Sequence, residues 1–230
     1  MSAPLSFGFL VFPNIQQLDF TGPYEIVSVL DAPKDIHLLW HDLEPVRSTT
    51  GILLHPTQTF ADCPPLDVVC VPGGVGVNAL MRDVPVLDFL RRQAETARFV
   101  TSVCTGSLVL GAAGLLRGKR ATSHWSARDL LTAYGAEPTS GRVVRDGTTI
   151  TAGGVTAGID FALVIIAELY GIEAAQACQL QLEYAPAPPF YAGTPESAPA
   201  ALVTMLRARG DAVRREREEL AKAWRASEAH

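Results

Sequence analysis

The sequence has few cysteines and no cysteine pattern that would bind a metal. Cys63, Cys70, Cys104 and Cys178 form no C-x-x-C pair and no zinc-type pairing with histidine. The first basic residue is Lys34, so the N-terminus lacks the positively charged region of a secretory signal peptide. We therefore expect a cytoplasmic protein with free thiols, no disulfides and no metal site.

Excess positive charge and a clear membrane span are also missing. The net charge of −5 gives no reason to expect nucleic acid or an anionic membrane as a partner. The longest candidate span, residues 99–116, is uncharged but contains three glycines and several Ser and Thr residues. A buried strand followed by a buried helix explains it better than a lipid-spanning helix.

A phosphate-binding loop is not recognisable either. Residues 73–76 read Gly-Gly-Val-Gly, without the G-x-G-x-x-G spacing or the Walker lysine. Nucleotide binding is therefore not expected.

What the chain does have is enough apolar sequence for a large core. Of its 230 residues, 48% are hydrophobic, and short apolar runs alternate with helical periodicity. Strands are predicted at 5–12, 36–40 and 67–71, helices at 19–30, 85–98, 157–170 and 172–182, and a hairpin at 143–150. This alternation predicts an α/β fold with a mostly parallel sheet between helices. Residues 1–199 are expected to form the domain, and residues 200–230 a charged helical extension of the same domain with a solvated face.

The segment from Phe99 to Leu110 carries the strongest functional signal. An apolar strand pattern reaches Cys104, and a helix begins directly after it. The helix dipole and free backbone N–H groups would favour a thiolate at such a turn, and serine hydrolases hold their nucleophile in the same way. We predict that Cys104 is a partly exposed nucleophile; the alternative is a buried, inert thiol.

Three segments follow the C-terminal ends of predicted strands: residues 13–19, residues 72–77, and Cys104 with Thr105. Ligand sites in parallel sheets lie at these strand ends, so the segments are expected to converge on one site. Asp19 then has two interpretations. It is either a general acid and base or the N-cap of the following helix.

At these residues the chain resembles the ThiJ/PfpI superfamily. The matching stretches cover nearly the whole chain: 12–23, 64–67, 72–74, 101–107, 120–125, 153–160 and 182–190. The resemblance implies a flavodoxin-like, class I glutamine-amidotransferase-like fold with a cysteine nucleophile elbow. It also implies a homodimer.

Within this superfamily the chain is similar to the isocyanide hydratases, which carry Asp at the position of Asp19 where many relatives have Glu. The implied activity adds water to a small apolar isocyanide and gives an N-formamide. The implied roles are a covalent thioimidate on Cys104 and general acid and base catalysis by Asp19, with no metal or organic cofactor. Thr105 and the backbone N–H groups of Gly74 and Thr105 would orient the intermediate and stabilise developing charge.

His124 and the reaction class stay open at this point. His124 is either a base near the thiol or a structural, hydrogen-bonded histidine. The domain could instead be a ligand sensor, because similar domains are fused to AraC-type DNA-binding regions; the chain ends at His230 without one, which favours a stand-alone enzyme. A glyoxalase- or deglycase-type cysteine hydrolase is a third possibility. Proteolysis is disfavoured, because Thr105 and not histidine follows the nucleophile.

Overall fold

The computed structural model describes residues 3–227, in which strands and helices alternate along most of the chain. The strands are β1 (Leu5–Leu10), β2 (Lys34–Trp40), β3 (Val46–Arg47), β4 (Leu53–Leu54), β5 (Gln58–Thr59), β6 (Val68–Val71), β7 (Phe99–Val103), β8 (Arg120–Ala121), β9 (Glu137–Pro138), β10 (Val143–Asp146) and β11 (Thr149–Ala152). The helices are α1 (Gln17–Ser28), α2 (Val77–Leu80), α3 (Val84–Ala94), α4 (Gly106–Ala112), α5 (Ala157–Tyr170), α6 (Ile172–Gln181) and α7 (Ala200–Ser227), with a 3-10 helix at Arg128–Tyr134.

The centre of the fold is a seven-stranded sheet in the order β10-β11-β7-β6-β1-β2-β5. All neighbouring strands run parallel except β10 and β11, which form the predicted hairpin with Asp146 opposite Thr149. The prediction of a mostly parallel sheet is confirmed. This arrangement brings the C-terminal ends of β1, β6 and β7 side by side at one edge of the sheet.

Helices cover both faces of this sheet. One group consists of α1, α5 and α6, which contact one another, and α4 contacts α2 and α3 in a second group. Every residue of β6 and β7 is buried. A parallel sheet covered on both faces explains why these strands are continuous apolar or small-residue runs without alternation.

The last helix, α7, has the predicted solvated face and also one stripe that packs against the rest of the fold. Arg217 and Ala221 of α7 are only 8% and 4% exposed, and the Trp224 indole N–H donates to the Ala112 carbonyl at 3.1 Å. Because these residues follow a spacing of four and then three, one stripe of α7 faces the domain. Most of the remaining helix surface is exposed, and the sequence did not reveal the buried stripe.

Within residues 3–227, no helix combines the length and the apolar character needed to cross a membrane.

Candidate active site

Cys104 occupies the turn between β7 and α4, and its backbone is strained. Its φ is +57°, in the left-handed region that residues with a side chain rarely adopt, at a cost of about 1–3 kcal/mol. Its N–H donates to the Ala152 carbonyl at 3.0 Å, while its carbonyl accepts from the hydroxyls of Ser107 at 3.3 Å and Ser123 at 3.1 Å. These three hydrogen bonds hold the residue in the strained conformation.

Gly106 allows the helix to begin this close to the sheet. A Cβ atom at this position would lie 1.9 Å from the Val71 carbonyl oxygen. Any side chain would therefore push α4 away from the end of β6, and Cys104 would move with it. The predicted strand-to-helix turn, with small residues at the join, is present as expected.

The Cys104 thiol is more buried than predicted. The residue is 6% exposed, but it lines a cleft of about 1300 Å³. Burial raises the pKa of the thiol well above its usual value, and the nearby Asp19 carboxyl raises it further. The Thr105 backbone N–H and the positive charge of Arg217 lower it. The prediction of a partly exposed thiol was wrong, and helix α4 alone does not stabilise a thiolate.

Asp19 is fully buried in the first turn of α1. Its Oδ2 accepts the Gly73 backbone N–H at 2.8 Å, and its Oδ1 has no hydrogen-bond partner among the described residues. The helix begins at Gln17 with Gln16 as N-cap, and no side chain caps it. The interpretation of Asp19 as a helix cap was therefore wrong.

The Asp19 carboxyl has an unusual affinity for a proton. Burial raises its pKa to about 7, although the Gly73 N–H and the Cys104 thiol lower it. A carboxyl with this pKa changes protonation state near neutral pH, so it can both donate and accept a proton.

The loops after β1 and β6 are joined next to this carboxyl. Ile15 and Gly74 form an antiparallel bridge, and the Gln16 N–H donates to the Gly73 carbonyl at 2.9 Å. A Cβ atom on Gly73 would lie 2.7 Å from Asp19 Oδ2 and 2.6 Å from the Thr105 nitrogen. The three segments predicted to converge do meet, and they meet around Gly73.

Thr105 bonds to the Gly74 backbone. Its Oγ1 accepts the Gly74 N–H at 3.2 Å and donates to the Gly74 carbonyl at 3.4 Å. The Gly74 N–H is therefore engaged by Thr105, while the Thr105 N–H lowers the pKa of the Cys104 thiol. Of the two N–H groups named from the sequence, the one on Thr105 favours the ionised sulfur.

His124 lies on the wall of the same cleft. Its Nδ1 lies 2.8 Å from the Ser126 hydroxyl and accepts the Ser126 N–H at 3.3 Å. Burial lowers the pKa of the imidazole, and the charge of Arg217 lowers it further. The ring is thus a neutral, locally hydrogen-bonded histidine near the thiol; its use as a base stays a prediction.

Arg217 is a site residue that the sequence reasoning missed. Its Nε donates to Asn78 Oδ1 at 2.8 Å, its Nη2 donates to the Gly74 carbonyl at 3.0 Å, and it lines the cleft. The alternating charges of residues 214–219 hid it among solvated neighbours. The available signal was its place in one stripe with Ala221 and Trp224.

The cleft walls carry both apolar and charged side chains. The apolar ones include Val75, Trp125, Val155 and Leu206, and the charged ones besides Arg217 are Arg128, Asp129, Arg207, Arg209, Asp211 and Arg214. Within residues 3–227, no three His, Cys, Asp or Glu residues are grouped so that they could hold a metal ion.

Comparisons with known proteins agree with this fold. The profile of the DJ-1/PfpI family matches residues 6–168. An isonitrile hydratase from Pseudomonas putida is 62% identical over 205 residues, which is 89% of this chain and 90% of the relative. Protein DJ-1alpha from Drosophila melanogaster is 33% identical over 174 residues, 73% of this chain and 78% of the relative. The crystal structure of a ThiJ/PfpI family protein from Pseudomonas syringae superposes with a TM-score of 0.92 at 42% identity, covering 95% of this chain and 91% of that one.

Proposed function

This chain belongs to the DJ-1/PfpI family, and on that premise we propose that it is an isonitrile (isocyanide) hydratase. The observation that carries the proposal is the 62% identity to the Pseudomonas putida isonitrile hydratase over 89% of the chain. The pairing of Cys104 with a buried carboxyl of raised pKa supports a hydro-lyase that uses a thiol and one acid–base group.

The proposed reaction begins at the terminal carbon of the isocyanide. The Cys104 thiol transfers its proton to Asp19, and the thiolate sulfur forms a bond to that carbon. Asp19 then delivers the proton to the same carbon, which gives a neutral thioimidate, R–N=CH–S–Cys104. The Thr105 N–H favours the ionised sulfur and stabilises negative charge there.

The second half of the reaction adds water. The Asp19 carboxylate takes a proton from a water molecule while the oxygen bonds the thioimidate carbon. Asp19 passes this proton to the nitrogen, and cleavage of the C–S bond then releases the N-formamide, R–NH–CHO, while the hydroxyl proton of the adduct goes to the sulfur and restores the thiol. One carboxyl with a pKa of about 7 serves both halves, because neither of its protonation states is strongly disfavoured near neutral pH.

The cleft supports an apolar substituent on the isocyanide nitrogen. Val75, Trp125 and Val155 line the walls, so an alkyl or aryl group gains from leaving water when the terminal carbon reaches the sulfur. We expect the enzyme to act as a homodimer in the cytoplasm. Sedimentation of the purified protein tests the dimer.

The decisive experiment mixes the purified protein with para-nitrophenyl isocyanide and follows formation of the N-formamide. Wild type is expected to form it, and Cys104→Ala is expected to form none. A folded wild-type protein that leaves isocyanides unchanged would contradict the proposal. In that case, turnover of methylglyoxal would indicate a glyoxalase-type enzyme, and thermal stabilisation by a small molecule without turnover would indicate a sensor.

A further inference from the structure

We propose that Arg217 of α7 is a positioning residue of the active site, which fixes the Gly74 loop and places a buried positive charge opposite the Cys104 thiolate. The part of this inference that concerns turnover rests on the proposed function. The part that concerns the thiol does not.

The first support is the position of the guanidinium group. Its Nη2 donates to the Gly74 carbonyl, the same oxygen to which Thr105 Oγ1 donates. Thr105 in turn accepts the Gly74 N–H through Oγ1, and its own N–H favours the ionised Cys104 sulfur. Two hydrogen bonds through the Gly74 carbonyl therefore link Arg217 to Thr105, the residue that follows Cys104 in the chain.

The second support is that the surroundings hold Arg217 firmly. Its Nε donates to Asn78, which is only 4% exposed. The Asn78 amide nitrogen also donates to Glu216 Oε2 at 2.8 Å, and the other oxygen of Glu216 accepts from Arg82 at 3.1 Å. This network fixes α7 against α2 and aims the guanidinium into the cleft.

The third support is the cost of burying this charge. Among residues 3–227, Arg217 forms no ion pair within 4.0 Å, and its two hydrogen-bond acceptors are neutral oxygens. Burial lowers the pKa of Arg217 itself, while the negative forms of Cys104, Glu216 and Tyr134 raise it. Burying a cation is costly, and Glu216 offsets this cost without forming an ion pair, so a developing thiolate adds a further compensating negative charge.

Two charged groups act on the Cys104 thiol from two elements, and a third titratable group lies on the wall of the same cleft. Asp19 on α1 opposes the thiolate when ionised, and His124, after β8, is neutral. Arg217 on α7 supplies the positive charge that lowers the pKa of the thiol. When Asp19 holds the proton, Arg217 is therefore the charged group that favours the reactive thiolate.

The test measures alkylation of Cys104 by iodoacetamide as a function of pH, followed by mass spectrometry. Arg217→Met removes the charge. Arg217→Lys keeps the charge but loses the guanidinium, which donates to both Asn78 and Gly74. Arg215→Met is the matched control. Arg215 is exposed on the same helix and pairs with Asp211. None of these measurements requires an isocyanide.

We expect Arg217→Met to slow alkylation at pH 7 by about tenfold and to move the profile to higher pH, since one pKa unit changes the thiolate fraction tenfold. Arg217→Lys is expected to keep the profile but lose kcat, with KM changed less, because Gly74 is no longer clamped. Arg215→Met is expected to behave as wild type in both measurements.

An alkylation profile for Arg217→Met that matches Arg215→Met, in a folded protein, would overturn the inference. A purely structural arginine would lower the melting temperature without moving this profile. If Arg217→Met does not fold, Arg217→Gln replaces it, because Gln can still donate to the Gly74 carbonyl. The same shift in Arg217→Gln supports the inference, and an unshifted profile rejects it.

Discussion

Cys70 and Cys104 lie on neighbouring parts of the sheet, yet the fold treats them differently. Cys70 is 1% exposed in the middle of β6, and Cys104 is 6% exposed just beyond β7. Burial raises the pKa of both thiols, that of Cys70 to about 12, and the Asp19 charge raises both further. Burial and proximity to an acid therefore do not distinguish the two cysteines.

The backbone distinguishes them. Cys70 is in extended strand geometry, paired with Thr101 of β7. Cys104 has left-handed geometry, which turns its side chain out of the sheet and onto the wall of the cleft. The Thr105 N–H and Arg217 also favour its thiolate, whereas at Cys70 the group that lowers the pKa is Thr101, whose hydroxyl donates to the Val69 carbonyl at 2.8 Å. The comparison teaches that strand-end geometry creates the candidate nucleophile.

The largest difference in turnover is expected between two single variants in which one or the other cysteine is replaced by alanine. Cys104→Ala is expected to abolish isocyanide turnover, because the bond to carbon cannot form. Cys70→Ala is expected to keep turnover within about twofold while losing stability, since a buried side chain is truncated. Equal residual rates in the two folded variants would remove the distinction between the thiols.

The second-largest loss of activity should come from Asp19. This carboxyl raises the pKa of both thiols, but in the proposed mechanism it exchanges a proton only with Cys104. Asp19→Asn is expected to slow turnover ~10²-fold or more through loss of the acid and base. Asp88→Asn is the control, because that carboxylate is exposed and paired with Arg91. An unchanged rate for Asp19→Asn would end its catalytic assignment.

The same Asp19→Asn variant is expected to gain stability although it loses activity. Folding raises the pKa of Asp19 from 3.8 to about 7, so the native state binds this proton more tightly than the unfolded state. The stabilisation that it contributes is present below pH 3.8 and is lost as the pH rises through about 7. Asp19→Asn should therefore gain in melting temperature relative to wild type between pH 4 and pH 8. A difference that is constant with pH would contradict the raised pKa.

The smallest effect should come from the hydroxyls around the strained turn. Ser123→Ala removes one of the two hydroxyl donors to the Cys104 carbonyl and is expected to cost about 1 kcal/mol of unfolding free energy, with slower turnover. Ser102 is the matched control, because its buried hydroxyl has no partner in the described structure. Ser102→Ala should be neutral or stabilising. If both variants lose the same stability, the hydrogen bond to Cys104 is not what supports the turn.

Local sequence predicted most of the architecture. The alternation of apolar strands with helical periodicity indicated the parallel sheet, Asp146 and Gly147 indicated the hairpin turn, and Ala157–Tyr170 is a helix with the predicted bounds. The Cys104 turn was also visible, because an apolar strand pattern followed by small residues is a local signal. These features follow from residues close to one another along the chain.

Tertiary structure alone decided the chemistry around the thiol. Burial, not position in α1, gives Asp19 its raised pKa, and the same burial leaves Cys104 less exposed than predicted. Arg217 reaches Gly74 across 143 residues of sequence. The sequence by itself determined which elements form and that the chain turns sharply at Cys104. Long-range packing decided which charged groups lie near the thiol, and desolvation decided their pKa values, because both arise only when distant segments come together.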